Sequence, residues 1–140
     1  MQLYPSESFM RKKKKNEFLT EVELEFMTQL WELGDGTVRA ILASLAPDRN
    51  LAYTSGATIM RILEQKRFVT SAKKGKTLVY RALLEKDAYQ SRSLRNLSEK
   101  LFDNAPVALV ARLVDDADLS EDTLSEMREL LDRRLRDNGT

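Results

Sequence analysis

A chain of 140 residues has room for one ordinary domain or two very small ones sharing a core. Its composition, 42% hydrophobic and 32% charged, belongs to a folded soluble protein, and the absence of Cys and His excludes disulfides, structural zinc, haem, iron–sulfur clusters and every nucleophilic dyad built on either residue. The net charge of +1 hides a split, because residues 1–81 carry 14 Lys and Arg against nine Asp and Glu, whereas residues 82–140 carry nine against 13.

Residues 1–16, MQLYPSESFMRKKKKN, show no sustained period and end in the basic run Arg11 to Lys15. They read as a mobile arm, either solvated or touching phosphates. No apolar core follows the basic run, as a signal peptide would require, and no apolar stretch in the chain approaches the roughly 20 residues of a membrane helix. The expected location is the cytoplasm, with no membrane partner.

The segment LTEVELEFMTQLWELGDG predicts the first helix. Thr20 and Glu23 make the S/T-x-x-E pattern of a capping box, Leu24, Met27, Leu30 and Trp31 line one face, and Gly34 ends it. GTVRAILASLAP predicts a second, shorter helix capped by Thr37, with Val38, Ile41, Leu42 and Leu45 on its buried side. The third, within AYTSGATIMRILEQKRF, places Thr54, Thr58, Arg61 and Gln65 within roughly 60° of one another, with Ile59, Met60, Ile62 and Leu63 assigned to the other side.

FVTSAKKGKTLVYRAL then changes period. Alternation on both sides of Lys73, Lys74, Gly75 and Lys76 predicts a β-hairpin with a basic tip. Three helices and a hairpin make a winged helix–turn–helix module, placed at residues 17–84. Within residues 51–81 seven basic residues face one acid, Glu64.

Residues 85–140 read as helical throughout. Leu94, Leu97 and Leu101 mark a polar helix over 86–103. Val107, Val110, Leu113 and Val114 follow Asn104 and Pro106. Leu124, Met127, Leu131 and Leu135 form the stripe of a last helix capped by Ser120. Three short amphipathic helices make a poor core alone, so pairing with a second copy, with Leu94, Leu97, Leu101, Val110, Leu113, Leu124, Met127, Leu131 and Leu135 at the interface, is the expected way to cover them. The fold class is therefore mainly α with a small β-hairpin wing, an N-terminal winged helix followed by a C-terminal helical dimerisation domain.

In LTEVELEFMTQLW, LAYTSGATIMRILEQKRFV and KKGKTLVYRAL, in this order and spacing, the chain resembles the penicillinase, methicillin-resistance and copper-transport repressors, the BlaI/MecI/CopY family. The resemblance covers residues 19 to about 136 and implies a homodimeric repressor acting on a double-stranded DNA operator. By position it implies that Thr54, Ser55 and Thr58 form the base-reading start of the recognition helix, and that Lys74 and Lys76 are the wing cations. The chain departs from the family at Gly56, where a β-branched residue is usual, at Ile62, where Arg is common, and at Arg67, where Gly is usual. Copper-responsive members use C-terminal cysteines, absent here. The Asn–Phe bond cleaved in penicillinase-type members falls near Arg112–Leu113, whose residues do not match, so no cleavage site is carried over and no upstream sensor or protease is named.

The physical case for DNA rests on a helix presenting Thr54, Thr58, Arg61 and Gln65 beside the basic hairpin residues Lys73, Lys74 and Lys76. Major-groove edges need donors and acceptors, and phosphates need cations. The expected function is sequence-specific repression by a homodimer on an inverted-repeat operator. The alternative is a winged helix that docks on a sensor or another regulator. No acidic cluster sits beside a glycine-rich phosphate loop, so neither an enzyme nor a cofactor is expected.

Overall fold

The structure, a computed structural model, describes residues 18–139, so the basic run Arg11 to Lys15 lies outside the described residues. The chain divides into two compact units, one running to Ser93 and the other beginning at Leu94.

The first unit opens with helix α1, Glu21–Leu33. Both halves of its capping box form: the Glu23 N–H donates to Thr20 Oγ1 at 3.2 Å, and the Thr20 N–H donates to Glu23 Oε1 at 2.9 Å. Gly34, at φ +85°, turns the chain out of the helix while its N–H donates to the Leu30 carbonyl. Strand β1, Asp35–Gly36, follows at once. Sequence periodicity does not reveal it, because two residues carry no alternation. Helix α2, Val38–Ser44, is capped by Thr37, and helix α3 is Tyr53–Gln65. Its N-cap is Ala52, with no side-chain cap, so Thr54 and Ser55 sit inside the first turn with their side chains uncommitted to capping.

Strands β2, Val69–Lys74, and β3, Thr77–Ala82, form the hairpin, and β1 pairs antiparallel with β3 to give a sheet of order β1-β3-β2. Pairing of Lys74 with Thr77 leaves Gly75 and Lys76 as a two-residue turn. Gly75 takes φ +63°, as the first position of a II′ turn requires. This is a winged helix–turn–helix.

Phe26, Met27 and Leu30 of α1 meet Val38 and Ile41 of α2, Met60 and Leu63 of α3, and Leu45, Phe68, Val69 and Tyr80 in one core. Two apolar assignments change. Leu24 is exposed and Phe26 takes its place, which rotates the buried face of α1 towards the sheet. Ile62 is 37% exposed. It lies eight residues after Thr54, a rotation of about 80°, on the flank of the polar stripe. Trp31 is half-buried. Its Nε1 donates to the Leu84 carbonyl at 2.9 Å, and its ring lies 6.1 Å from that of Tyr89.

The end of α3 is a Schellman motif. The Phe68 N–H donates to the Leu63 carbonyl and the Arg67 N–H to the Glu64 carbonyl, while buried Leu63 and Phe68 supply the apolar contact that accompanies such stops. Arg67 occupies the left-handed position at φ +68°. A side chain there costs about 1–2 kcal/mol, against about 0.5–1 kcal/mol for glycine's greater freedom in the unfolded chain. Arg67→Gly should therefore raise stability by about 1 kcal/mol. A denaturant titration read by circular dichroism measures this, and a lowered midpoint would contradict it.

Helix α4, Lys86–Leu101, starts in the first unit, where Tyr89 packs on Phe68 and its hydroxyl accepts from the Leu19 N–H at 2.9 Å. It ends two residues earlier than its apolar spacing indicates, because Asp103 and Asn104 take φ of +48° and +59°. Helix α5, Pro106–Asp116, begins with proline at its first turn. Helix α6, Glu121–Asn138, is capped by Ser120, with Glu121 and Asp122 in its first turn and Arg136 in its last, in agreement with the helix dipole. Among the described residues from Leu94 onward no side chain is buried.

Candidate nucleic-acid interface

Helix α3 is anchored along its length before it offers a face to solvent. Near its start, buried Gly56 lets the backbone approach α2. A Cβ built there would stand 3.1 Å from Val38 Cγ1 and 3.2 Å from both Leu42 Cδ atoms. Glycine here weakens local helix propensity, and the structure uses the vacated space for close helix packing. Met60 and Leu63 fill the core in the middle. At the end, Lys66 Nζ donates to both oxygens of buried Glu23 at 2.9 Å. Ser71 Oγ donates to Glu64 Oε2 at 2.8 Å, tying α3 to β2.

The opposite face holds Thr54, Ser55, Thr58, Arg61 and Gln65, all exposed. Thr58 is partly committed, since its Oγ1 donates to the Thr54 carbonyl at 3.0 Å. What it offers outward is a methyl group and a lone pair, whereas Thr54 and Ser55 keep a free donor. Ile62, on the flank of this face near Ser55, adds an apolar surface that an alternating polar count overlooks. A full helical-wheel angle, not the neighbouring Leu63, would have placed it.

The hairpin separates its lysines. Strand alternation sets Lys73 on the same side as Val69 and Ser71, and Lys74 on the other side with Thr70 and Arg81. Lys74 lines a shallow hollow with Asp35 and Arg81, whereas Lys76, in the turn, lines a groove beside α3. All three are exposed. Lys66, counted among the basic residues of this region, is drawn inward by Glu23 and adds little to the surface field. Burial raises the Tyr80 phenol above its ordinary value, with the charge of Glu64 and the neighbouring Tyr53 adding to the rise and Arg61 opposing it. Arg61, close enough to Tyr80 of β3 to act on it, lies on the wing side of the stripe.

In the second unit, Leu94, Leu97, Leu101, Val110, Leu113, Leu124, Leu131 and Leu135 are exposed, and Met127 is half-buried. Val107 reaches 81% exposure. No helix among the described residues is long and apolar enough to cross a membrane.

The chain is similar to several known proteins. The methicillin resistance regulatory protein MecI of Staphylococcus aureus (strain Mu50 / ATCC 700699) is 23% identical over 116 residues, covering 83% of this chain and 94% of that protein. An uncharacterized 16.5 kDa protein of Latilactobacillus sakei is 26% identical over 113 residues, covering 81% and 77%. Among solved structures, a MarR family protein from Bacillus stearothermophilus is similar with a TM-score of 0.46 and 14% identity, covering 99% of this chain and 91% of that one. The family model for the penicillinase repressor matches residues 19–133. The chain belongs to the penicillinase repressor family, and it is a DNA-binding transcriptional regulator, not an enzyme.

Proposed function

We propose that the protein represses transcription as a homodimer on an inverted-repeat operator. In this reading Thr54, Ser55, Thr58, Arg61 and Gln65 of α3 enter the major groove, and Lys73, Lys74 and Lys76 of the wing meet the backbone. The winged helix occupies residues 17–84 and the dimerisation domain residues 85–140. The observation that carries the reading is the single exposed face of α3, which carries hydroxyls, a guanidinium and an amide on a helix clamped at both ends. A rigid helix with a polar face is what base-edge readout needs, and cations beside it supply affinity for any sequence. Two copies related by a two-fold axis would read two identical half-sites, with centres about one helical turn, or a small multiple, apart.

The test is selection of bound duplexes from a random pool, followed by single substitutions. Thr54→Ala and Ser55→Ala should each change preference at one or two base pairs per half-site, at about 1–3 kcal/mol. Thr58→Val keeps the methyl and loses the hydroxyl, whose donor is already spent on the Thr54 carbonyl, so it should change preference less than Thr58→Ala, which also removes the methyl. Lys74→Ala and Lys76→Ala should weaken all sequences alike. Unaltered sequence preference in every α3 variant would remove the recognition-helix assignment.

A further inference from the structure

Beside α3 lies a groove of about 390 Å³, walled by α2, the start of α3 and β3. Arg39, Tyr53, Lys76, Thr77, Leu78 and Tyr80 are among its lining residues, and no carboxylate is. The Arg39 guanidinium stands over the Tyr53 ring, its Cζ 4.9 Å from the ring centroid. Among the described residues no carboxylate pairs with Arg39 or with Lys76. Stacking on an aromatic face orients a guanidinium without neutralising it and leaves its edge N–H groups free. Those edges match the paired oxygens of a phosphate. Buried Tyr80 backs the same wall.

We infer that Arg39, held by Tyr53, and Lys76 form a seat for one phosphodiester of the DNA backbone at the mouth of this groove. The inference rests on the DNA reading above and extends it to a helix, α2, that the polar stripe of α3 does not include. A phosphate in this seat would lie between the recognition helix and the wing. There it would fix how deeply α3 enters the groove without contributing sequence information. Arg39 is then a phosphate ligand, and Tyr53 is a positioning residue that acts through Arg39.

The experiment is a salt titration of the full chain on a mixed-sequence duplex. Arg39→Ala and Arg39→Gln should each lower the slope of log K against log salt by about 1, with the same loss on the selected operator. Tyr53→Leu keeps every charge, so it should weaken binding several-fold and leave the slope unchanged, a pattern that simple loss of a cation does not give. Circular dichroism melting should stay within about 4 °C of the parent for these exposed sites. A neutral methylphosphonate scanned along one strand should find a position that weakens the parent but not Arg39→Ala. If Arg39→Ala and Arg39→Gln keep the parent slope and affinity while Lys76→Ala lowers both, the seat is refuted and the DNA reading stands. If the parent itself shows no salt-dependent duplex binding, the DNA reading fails with it. Inorganic phosphate displacing DNA from the parent and the variants equally, at matched ionic strength, would also refute the seat.

Discussion

Glu23→Ala should destabilise the first unit by about 3 kcal/mol, the scale on which breaking a buried ion pair leaves one charge uncompensated. Glu23 is the buried charged residue among the described residues of this unit, 6% exposed, and three hydrogen bonds converge on its carboxylate. One oxygen takes the Thr20 N–H at 2.9 Å, and both take Lys66 Nζ at 2.9 Å. Removing the carboxylate strips half of the cap from α1 and strands the Lys66 ammonium, whose side chain is only 17% exposed. In a domain of this size each kcal/mol moves Tm by about 4–8 °C, so the midpoint should fall by at least about 12 °C. The double variant Glu23→Ala with Lys66→Met should recover most of this, because a buried pair replaced on both sides by apolar atoms is often neutral. The residue left over, about 1 kcal/mol, is the lost cap. Thermal melting of the four proteins closes the cycle. A single variant that loses under about 1 kcal/mol would mean the pair behaves as a surface contact.

The consequence reaches α3, the proposed recognition helix. Lys66 directly follows the last residue of α3, and Arg67 beside it sits in the strained left-handed position. Freed from Glu23, that end of α3 keeps the Schellman bonds, the Leu63–Phe68 contact and the Ser71–Glu64 hydrogen bond, but loses its tie to α1. Operator affinity should therefore fall in Glu23→Ala even below its melting temperature.

On the proposed homodimer, replacing Leu113 and Leu131 together with Glu should give a monomer and lower operator affinity by at least about 100-fold. That is the lower end of what joining two binding modules contributes. The grounds are the exposures in α5 and α6. Val107, Val110, Leu113, Val114, Leu124, Leu130, Leu131 and Leu135 all stand open to solvent in the single chain. So many exposed large apolar residues on two helices mark an interaction site in the proposed reading, and a two-fold pair of identical chains is the commonest way to cover them. The charge added at each position would be buried without a partner in the pair and harmless in the monomer. Sedimentation at micromolar concentration reads the assembly, and gel shift reads the affinity. A chain ending after Ser93 is a second route to the same test, because it retains Tyr89 against Phe68 and Trp31. Undiminished operator binding by a protein that sediments as a monomer would refute dimer-dependent recognition.

Everything legible in the sequence is local in range. The capping box at Thr20, the caps at Thr37 and Ser120, the helix stop at Gly34, the hairpin around Gly75 and the stripe of Thr54, Thr58, Arg61 and Gln65 each depend on residues a few positions apart. Backbone hydrogen bonding and side-chain periodicity are set over that distance, so the order of the helices and the wing could be read directly. The absence of Cys and His likewise limits the chemistry before any fold is known. The tertiary structure decided what depends on distant partners. Lys66 leaves the basic surface because Glu23, 43 positions away, draws it in. Trp31 is oriented by a carbonyl 53 positions away. β1 exists only because β3 is there to pair with Asp35 and Gly36. Arg39 and Tyr53 meet across two helices, and Lys74 and Lys76 part company because strand pairing and the turn aim them to different sides. A side chain's type and its local face are properties of the chain. Its partner, and so whether its charge is free to act, is a property of packing between segments that no local pattern encodes.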